Sequence, residues 1–277
     1  MKNHFKLKSF GSIKYLECQK KEFAKLTLNA FSARYGGISH KPYDSLNLSF
    51  NVGDEEKRIL ENRVRFLRIF NISHKKIVSA NQVHGENIVV IEKKDEGKGA
   101  LDYKTAISKC DSLITNIPGI PLFMSYADCV PVLILDPVKK IIGLVHAGRT
   151  GTFLKIALKT LQKMKNVFGS ISSDCQAVIF PSIGSCCYRF KDRKIIDNWI
   201  TDNNLTNQVV YFGRDKHWRI DLKKANYIQL LLGGLHENNI FVSEECTVDN
   251  SDLYFSHHRD EGKTGRMAAL FMIKKRQ

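Results

Sequence analysis

Two long apolar stretches near the middle of the chain restrict its fold more than any other feature of the sequence. Residues 119–136 read GIPLFMSYADCVPVLILD and residues 141–146 read IIGLVH, with a turn (DPVK) at 136–139 between them. Apolar runs bounded by turn residues predict buried β-strands. Proline, serine and aspartate interrupt the first run, so it is not a membrane span. We therefore expect two buried strands at the centre of the fold.

The remaining elements follow no regular rhythm around this centre. The spacing of apolar residues predicts helices over 56–71, 152–168 and near 221–235. Strands are predicted at 22–34, 77–80, 87–92, 177–180, near 240–245 and 267–273. Because a strict strand–helix–strand alternation is missing, the pattern favours an α+β fold over a doubly wound sheet. No repeat or Pro/Ser-rich linker divides the chain, so residues 1–277 are expected to form a single domain.

The formal net charge of +15 raises the question of a polyanionic partner. The excess is mostly lysine, scattered in short pairs such as Lys20-Lys21 and Lys139-Lys140. No dense basic run alternates with aromatic residues, as a nucleic-acid groove would require. We therefore expect a solvated lysine-rich surface and no nucleic-acid partner.

Cysteine usage and the first residues indicate the compartment. The chain has seven cysteines, an odd number, without the spacing of a small disulfide scaffold. Residues 1–16 contain lysines throughout and no apolar core, so they are not a signal peptide. These features predict a protein of the reducing cytoplasm, without a membrane association.

Three segments end predicted strands with a side chain able to bind a metal. They are NQVHG (81–85), ADCVP (127–131) and VHAG (145–148), which supply His84, Cys129 and His146. Zinc accepts imidazole and thiolate ligands, and three protein ligands leave a fourth position for water, whose pKa zinc lowers to roughly 7. Each residue also has a structural interpretation, as a turn histidine, a small buried cysteine and a strand-end histidine.

The segment after His146 reads AGRTGT, where a strand passes into a helix. Glycines allow a ligand to approach the backbone, and a helix N-terminus offers N–H groups to an anion such as phosphate. Thr150 or Thr152 can instead cap the helix.

Eight segments form a joint pattern in chain order: SHKPYDSLNLSFNVGD (39–54), ENRVRFL (61–67), NQVHG (81–85), CDSLITN (110–116), ADCVPVLILDP (127–137), VHAGRTGT (145–152), PSIGSCCY (181–188) and FSHHRDEGKTGRMAALFMI (255–273). Together they resemble the YfiH or laccase-domain family, once called polyphenol oxidases and now regarded as purine nucleoside phosphorylases. The resemblance spans nearly the whole chain.

The resemblance implies a layered α/β/β/α-type sandwich with mixed β-sheets, as a monomer or homodimer, with its metal-site core at about 80–190. It implies zinc held by His84, Cys129 and His146, which would also be the catalytic centre. It implies phosphorolysis of adenosine, inosine, guanosine or S-methyl-5'-thioadenosine to a base and ribose 1-phosphate, with adenosine deamination as a second activity. Candidates for binding substrate or phosphate are Arg149, Thr150, Arg259 and Arg266.

The chain departs from the family pattern around these candidates. The family usually reads HAGWRGT, whereas this chain reads HAGRTGT, so Arg149 takes the place of an aromatic residue and Thr150 that of an arginine. Phe180, Arg189 and His258 replace a glycine, a glutamate and an arginine. The metal set is intact, while the substrate shell is altered.

Four further sites have two interpretations each. Cys186-Cys187 is a redox pair or a tight turn. Asp128 is a structural residue or a proton shuttle, and Asp111-Ser112 packs beneath the site or begins a strand. Adjacent strand residues diverge, which argues against His257-His258 as a metal pair.

Three rival functions use the same features. A His₂Cys set also describes a type 1 copper centre, so a copper-dependent polyphenol oxidase is an alternative, although the chain has only nine histidines and no His-x-His pair. A second alternative is a non-catalytic basic binding protein. A third is hydrolysis by Cys129 as a nucleophile activated by histidine.

Overall fold

A computed structural model describes residues 4–195, 197, 199 and 206–275 of the chain. Within these residues lie fifteen strands and six α-helices. The strands are β1 Phe5–Phe10, β2 Ile13–Cys18, β3 Thr27–Ser32, β4 Val78–Ser79, β5 Ile88–Val90, β6 Ser112–Thr115, β7 Leu122–Tyr126, β8 Val130–Asp136, β9 Ile141–Ala147, β10 Gln176–Ile179, β11 Arg189–Phe190, β12 Val210–Phe212, β13 Trp218–Ile220, β14 Ile240–Val242 and β15 Met267–Ile273. The helices are α1 Lys21–Leu26, α2 Glu56–Arg68, α3 Arg149–Phe153, α4 Ile156–Phe168, α5 Thr206–Val209 and α6 Leu222–Leu232.

Two six-stranded sheets contain most of the strands. The first sheet has the order β1-β2-β3-β15-β7-β4, and the second has the order β14-β10-β8-β9-β6-β5. Both are mixed, because β4 is parallel to β7, β5 to β6 and β10 to β14, while the other pairs are antiparallel. A third sheet, with the order β11-β13-β12, is small.

Successive side chains of a strand point to opposite faces of its sheet, so each buried strand contacts two different layers. On β15, Met267, Ala269 and Phe271 enter the core between the sheets, while Ala268 and Leu270 face α2. On β8, Leu133 and Leu135 enter the same inter-sheet core, while Val132 and Ile134 face α4 and α6. The layers therefore run helix, sheet, sheet, helix.

This architecture confirms the predicted α/β/β/α sandwich with mixed sheets. It also confirms the helix expected over 56–71, whose residues Ile59, Phe66 and Leu67 are buried against the first sheet. Among the described residues, no helix has the length and apolar character needed to cross a membrane.

The prediction that residues 119–136 form one strand was wrong. The chain forms β7 in the first sheet, turns at Asp128 (φ 82°), and forms β8 in the second sheet. Periodicity cannot reveal this break, because both halves are buried and apolar.

The helix predicted at 152–168 is also two helices, α3 and α4, separated at Lys155 (φ 62°). Side chains of α6 explain the break. Gln229 Nε2 donates to the carbonyl of Thr152 at 2.7 Å, and Asn226 Nδ2 donates to the Thr152 hydroxyl at 3.0 Å. The first bond uses a carbonyl that a continuous helix would use for its own backbone, and the second joins the Thr152 side chain to α6.

The first part of the 22–34 segment, predicted as a strand, is helix α1, and only Thr27–Ser32 is extended. The strands β1 and β2 were not predicted. β1 is an edge strand without a buried residue. Both faces of β2 are covered, with Leu16 and Cys18 in the core between the sheets and Ile13 and Tyr15 in the cluster on the side of α2.

Candidate metal centre and adjoining cavity

His84 and Cys129 both lie on connections that leave the first sheet and enter the second. The connection from β4 to β5 contains His84, which has a positive φ of 60°. The connection from β7 to β8 contains Cys129, directly after Asp128, whose φ is also positive. His146 lies near the end of β9, paired with Pro131 of β8. Two sheet-crossing turns and one strand end therefore bring the three side chains to one place.

The three side chains form a compact group. Their ring nitrogen and sulfur atoms all lie within 4.8 Å of one another. The rings of His84 and His146 meet edge to face with centroids 4.8 Å apart. His146 is buried, Cys129 is half-buried and His84 is exposed, so the group opens to solvent on the side of His84.

Gly148 provides the space for this group. A Cβ at this position would lie 2.9 Å from His84 Cδ2 and 3.0 Å from Cys129 Sγ, closer than such carbons are found. Two imidazoles and one thiol around a space that only glycine leaves free match the ligand chemistry of zinc. The residues present therefore fit the implied metal.

Asp111 holds both histidines in position. Its carboxylate accepts a hydrogen bond from His146 Nδ1 at 2.8 Å and from the backbone N–H groups of Val83, His84 and Gly85 at 3.1, 3.0 and 2.9 Å. A carboxylate on Nδ1 leaves Nε2 of His146 available as a ligand atom. Burial acts to raise the pKa of Asp111, but the hydrogen bonds from His146 and this turn outweigh it and lower the pKa.

The thiol and the buried imidazole stabilise each other's charged forms. Burial acts to raise the pKa of Cys129, but His146 and His84 outweigh it and lower the pKa to about 6. Burial acts to lower the pKa of His146, but Cys129 and Asp111 outweigh it and raise the pKa to about 9. Thiolate is the form in which cysteine binds a metal or attacks a substrate.

A cavity of about 500 Å³ adjoins the group. Its lining is aromatic, cationic and polar, and includes Phe50, Arg63, Gln82, Tyr103, Phe123, Arg149, Thr150, Tyr188, Phe190, His257, His258 and Arg266 in addition to the three candidate ligands. A cavity of this size with a few polar groups suits a small organic ligand.

Comparison with known proteins identifies the family. Residues 28–274 match the family described as multi-copper polyphenol oxidoreductase laccase. The chain belongs to this laccase family. The resemblance inferred from the eight motifs is thereby confirmed.

Named relatives and solved structures resemble this chain over most of its length. It is 35% identical over 254 residues to a purine nucleoside phosphorylase, YlmD, of Bacillus subtilis, covering 90% of both chains. The crystal structure of the hypothetical protein YfiH of Bacillus licheniformis is 34% identical with a TM-score of 0.92, covering 98% of this chain and 100% of that one. The crystal structure of YlmD from Geobacillus stearothermophilus has the same identity of 34% and TM-score of 0.92, covering 99% and 100%.

The substrate candidates taken from the laccase-family resemblance separate into two groups. Arg149, Thr150 and Arg266 line the cavity. The Arg149 guanidinium lies 6.0 Å from the Phe190 ring centroid, and it also contacts Tyr188. Arg259 does not belong with them, because its guanidinium is bonded to the Asp260 carboxylate and to three backbone carbonyls.

The structure also shows the surroundings of residues for which the sequence left two interpretations open. The Asp128 carboxylate accepts bonds from Thr247 Oγ1 (2.6 Å), Ser256 Oγ (3.0 Å) and the backbone N–H of His258 (2.6 Å), which is a structural role. Asp111 packs beneath the metal centre, the first of its two interpretations. The Thr152 hydroxyl bonds to the Ala147 carbonyl at 3.3 Å, and the helix cap is Gly148 rather than a threonine.

Sequence reasoning missed the walls of the cavity. Arg63 is 3% exposed, stacks 4.2 Å from the Phe50 ring centroid, and donates to the carbonyls of Leu48, Gly99 and Ala100. Tyr188 and Phe190 were likewise not predicted. No local pattern marks them, because their role depends on the facing segments.

Proposed function

We propose that this protein is a zinc-dependent purine nucleoside phosphorylase acting on adenosine, inosine, guanosine or S-methyl-5'-thioadenosine. Relatives of similar length are named purine nucleoside phosphorylases, which supports the reaction class. The observation that carries the proposal is the convergence of His84, Cys129 and His146 at one cavity that also contains aromatic rings and arginines.

The cavity offers what a nucleoside requires. Tyr188 and Phe190, with ring centroids 4.7 Å apart, provide an aromatic surface for a purine base. Burial raises the pKa of the Tyr188 hydroxyl to about 12, so the ring stays neutral at pH 7. Phe50 and Phe123 also line the cavity, with the Arg63 guanidinium 4.2 and 5.3 Å from their ring centroids.

Arg149 and Arg266 are the proposed phosphate-binding residues. Both line the cavity, and a guanidinium binds phosphate oxygens in a bidentate manner. Burial lowers the pKa of Arg266, although Cys129 and Asp128 act in the opposite direction. In the reaction, phosphate oxygen bonds to C1' of the ribose as the glycosidic bond breaks, and the base leaves with a proton. Zinc held by His84, Cys129 and His146 would supply a Lewis acid beside these groups.

Adenosine deamination is proposed only as a secondary activity. Zinc deaminases use a carboxylate that moves protons beside the metal. Asp128 is the acidic residue among the described cavity-lining side chains, and three donors already occupy its carboxylate. Any proton transfer of this kind therefore falls to His257 or His258, which also line the cavity.

Copper-dependent phenol oxidation is the second candidate, favoured by the description of the family. Multicopper oxidases require further histidine ligand sets. In the part of the chain that the structure describes, the groups of potential ligands are the His84 group and a cysteine–aspartate group without histidine. Metal analysis combined with oxygen consumption on a phenol separates the two candidates.

The function is tested by incubating the purified protein with adenosine and phosphate and identifying the products. Adenine and ribose 1-phosphate are expected, at a rate that requires phosphate, and inosine would reveal the secondary activity. His84→Ala should abolish turnover. Absence of both products from protein with a full metal complement would contradict the proposal.

The phosphate site is tested by Arg149→Ala. The lost bidentate contact is expected to raise the KM for phosphate about tenfold, with a smaller effect on the KM for the nucleoside. Lys163→Ala, which removes an exposed cation from α4, is the control and should leave both constants unchanged. An unchanged KM for phosphate in Arg149→Ala would remove that residue from the proposed site.

A further inference from the structure

A second cluster of metal-binding side chains lies outside the His84 group. Cys186, Cys187, Cys246 and Asp249 place their sulfur and carboxylate oxygen atoms within 4.8 Å of one another. The two carboxylate oxygens of Asp249 lie 3.0 Å from Cys186 Sγ and 3.0 Å from Cys187 Sγ. None of the four lines the cavity described above; Cys186 and Cys246 instead line a separate depression of about 490 Å³.

The backbone fixes the first turn of this cluster. The N–H groups of Cys187 and Tyr188 donate to the Gly184 carbonyl at 3.0 and 2.9 Å. Arg219 Nη1 donates to the carbonyls of Ser185 and Cys186 at 2.8 and 2.7 Å. The two adjacent cysteines are thus held by backbone bonds that do not involve their thiols.

The second turn is equally ordered and is joined to the first. The backbone N–H and the side-chain amide of Asn250 donate to the Cys246 carbonyl at 3.1 and 2.8 Å, which places Asp249 beside Cys246. The Thr247 N–H donates to the Ser182 carbonyl at 3.1 Å.

The backbone of Gly184 contacts one sulfur of the cluster. Its N–H donates to Cys246 Sγ at 3.2 Å, the kind of bond that stabilises metal-bound thiolates. A Cβ on Gly184 would lie 2.9 Å from Cys186 Sγ and 3.3 Å from Cys246 Cβ. Glycine therefore leaves room between the two sulfur atoms, as Gly148 does at the first centre.

Three sulfurs and one carboxylate oxygen form a complete tetrahedral set for zinc. With zinc–sulfur bonds of about 2.3 Å, the sulfurs of a tetrahedral site lie about 3.8 Å apart, so sulfurs at the 4.8 Å limit of the cluster need to approach each other by about 1 Å. Four protein ligands leave no position for water, which is the pattern of a structural site. The buried ammonium of Lys223, bonded at 3.0 Å to the carbonyls of Ser243 and Glu245, lies on the same depression and offsets the negative charge.

We propose that Cys186, Cys187, Cys246 and Asp249 bind a structural zinc ion that fastens the turn carrying Tyr188 to the turn carrying Thr247. Tyr188 forms part of the cavity wall, and Thr247 bonds to Asp128 next to Cys129. The ion thereby braces the cavity from outside. The proposal concerns metal content and does not depend on the reaction proposed above.

The experiment is metal analysis of purified protein and variants after dialysis against zinc and then against zinc-free buffer. The wild type is expected to retain two zinc ions per chain, and His84→Ala and Cys186→Ser one each. The double variant should retain none. Asp249→Asn is expected to bind its second zinc at least tenfold more weakly, while Asp252→Asn, an exposed aspartate three residues later, should match the wild type.

Two further measurements do not require the Cys186→Ser variant to fold. They are the protection of thiols by zinc against alkylation and the absorption spectrum of the cobalt-substituted protein. Adding zinc to the metal-free wild type should protect Cys186, Cys187 and Cys246 from alkylation, as mapped by peptide mass spectrometry. In His84→Ala, cobalt(II) should give the near-ultraviolet sulfur-to-metal charge-transfer band of a site with several thiolates. One zinc per chain in both wild type and Cys186→Ser, or a disulfide within the cluster in freshly purified protein, would overturn the proposal.

Discussion

Gly148 influences the metal centre because it has no side chain. A methyl group here would press on His84 Cδ2 and Cys129 Sγ, and both contacts would be at or below 3.0 Å. Both neighbours are proposed ligands, so the collision would be relieved by moving them. A residue without a side chain therefore controls the spacing of two proposed ligands.

Gly148→Ala is accordingly expected to weaken zinc binding at this centre about tenfold or more. The measurement is a competition titration with a chromophoric chelator. Gly85→Ala is the matched control, because its Cβ would meet its nearest atoms at ordinary distances of 3.6 and 3.7 Å. Equal zinc affinities for the two variants would contradict this account of Gly148.

Asp111 acts on the centre through hydrogen bonds to His146 and to the turn that carries His84. An asparagine there would turn an amide N–H toward backbone N–H donors, and the negative charge would be lost. Because the folded-state pKa of Asp111 is lowered, its contribution to stability is present above the ordinary carboxyl pKa and is lost as the pH falls through the folded-state pKa.

Asp111→Asn should therefore lower the free energy of unfolding of the metal-free protein most at neutral pH. The difference from the wild type is expected to stay constant from neutral pH down to the ordinary carboxyl pKa of about 3.8 and to shrink as the pH falls below it, when the wild-type carboxylate becomes protonated. Urea unfolding at several pH values provides the measurement. A difference independent of pH would show that the charge of Asp111 is not what stabilises the turn.

The turn between β7 and β8 connects a strand of the first sheet to a strand of the second. Asp128 has a positive φ and its carboxylate accepts three hydrogen bonds from the C-terminal segment. Asp128 therefore has three roles. It lets the chain change sheets, it positions Cys129, and it holds residues 247–258 by hydrogen bonds. None of this is visible in the apolar run that contains it.

Asp128→Ala is expected to destabilise the fold by about 3 kcal/mol, since three bonds to a charged group are lost and alanine is strained at this φ. Asp128→Gly also loses the three hydrogen bonds, but glycine adopts this φ without strain. It should therefore destabilise the fold less than Asp128→Ala does. Urea unfolding of the two variants measures both contributions. If glycine and alanine were equally destabilising, strain would play no part at this turn.

For the molecule as a whole, the relative placement of the two sheets sets the distances within the centre. His84 and Cys129 lie on connections between the sheets, and His146 belongs to the second sheet. Phe31 of the first sheet stacks on Phe180, which directly follows β10 of the second, with centroids 5.6 Å apart, in the core between the sheets. Metal binding and folding should therefore be coupled.

Removal of the metal is expected to lower the free energy of unfolding. At free zinc about a hundredfold above the dissociation constant, binding at one site stabilises the fold by about 2.7 kcal/mol. The increment should be present in Cys186→Ser and absent when His84→Ala is added to it, which isolates the His84 centre. Urea unfolding with and without zinc measures the increment, and its persistence in the double variant would assign the stabilisation elsewhere.

The sequence by itself determined the ligand types, the motifs that place them at strand ends, and the alternation of apolar residues that makes a layered sandwich. These are local properties, carried by neighbouring residues and by spacing along one strand or helix. Three further statements stay predictions from the sequence. They are that residues 1–277 form one domain, that the protein is cytoplasmic, and that it is a monomer or homodimer.

The family resemblance implied that His84, Cys129 and His146 meet, but only the tertiary structure showed that Asp111 joins two of them and that Arg149 and Arg266, unlike Arg259, line the cavity. The break of one apolar run into strands of two sheets belongs to the same group. The physical reason is that these contacts join segments far apart in the chain. Their distances depend on the crossing of the sheets and on positive backbone angles at His84 and Asp128, which periodicity does not encode.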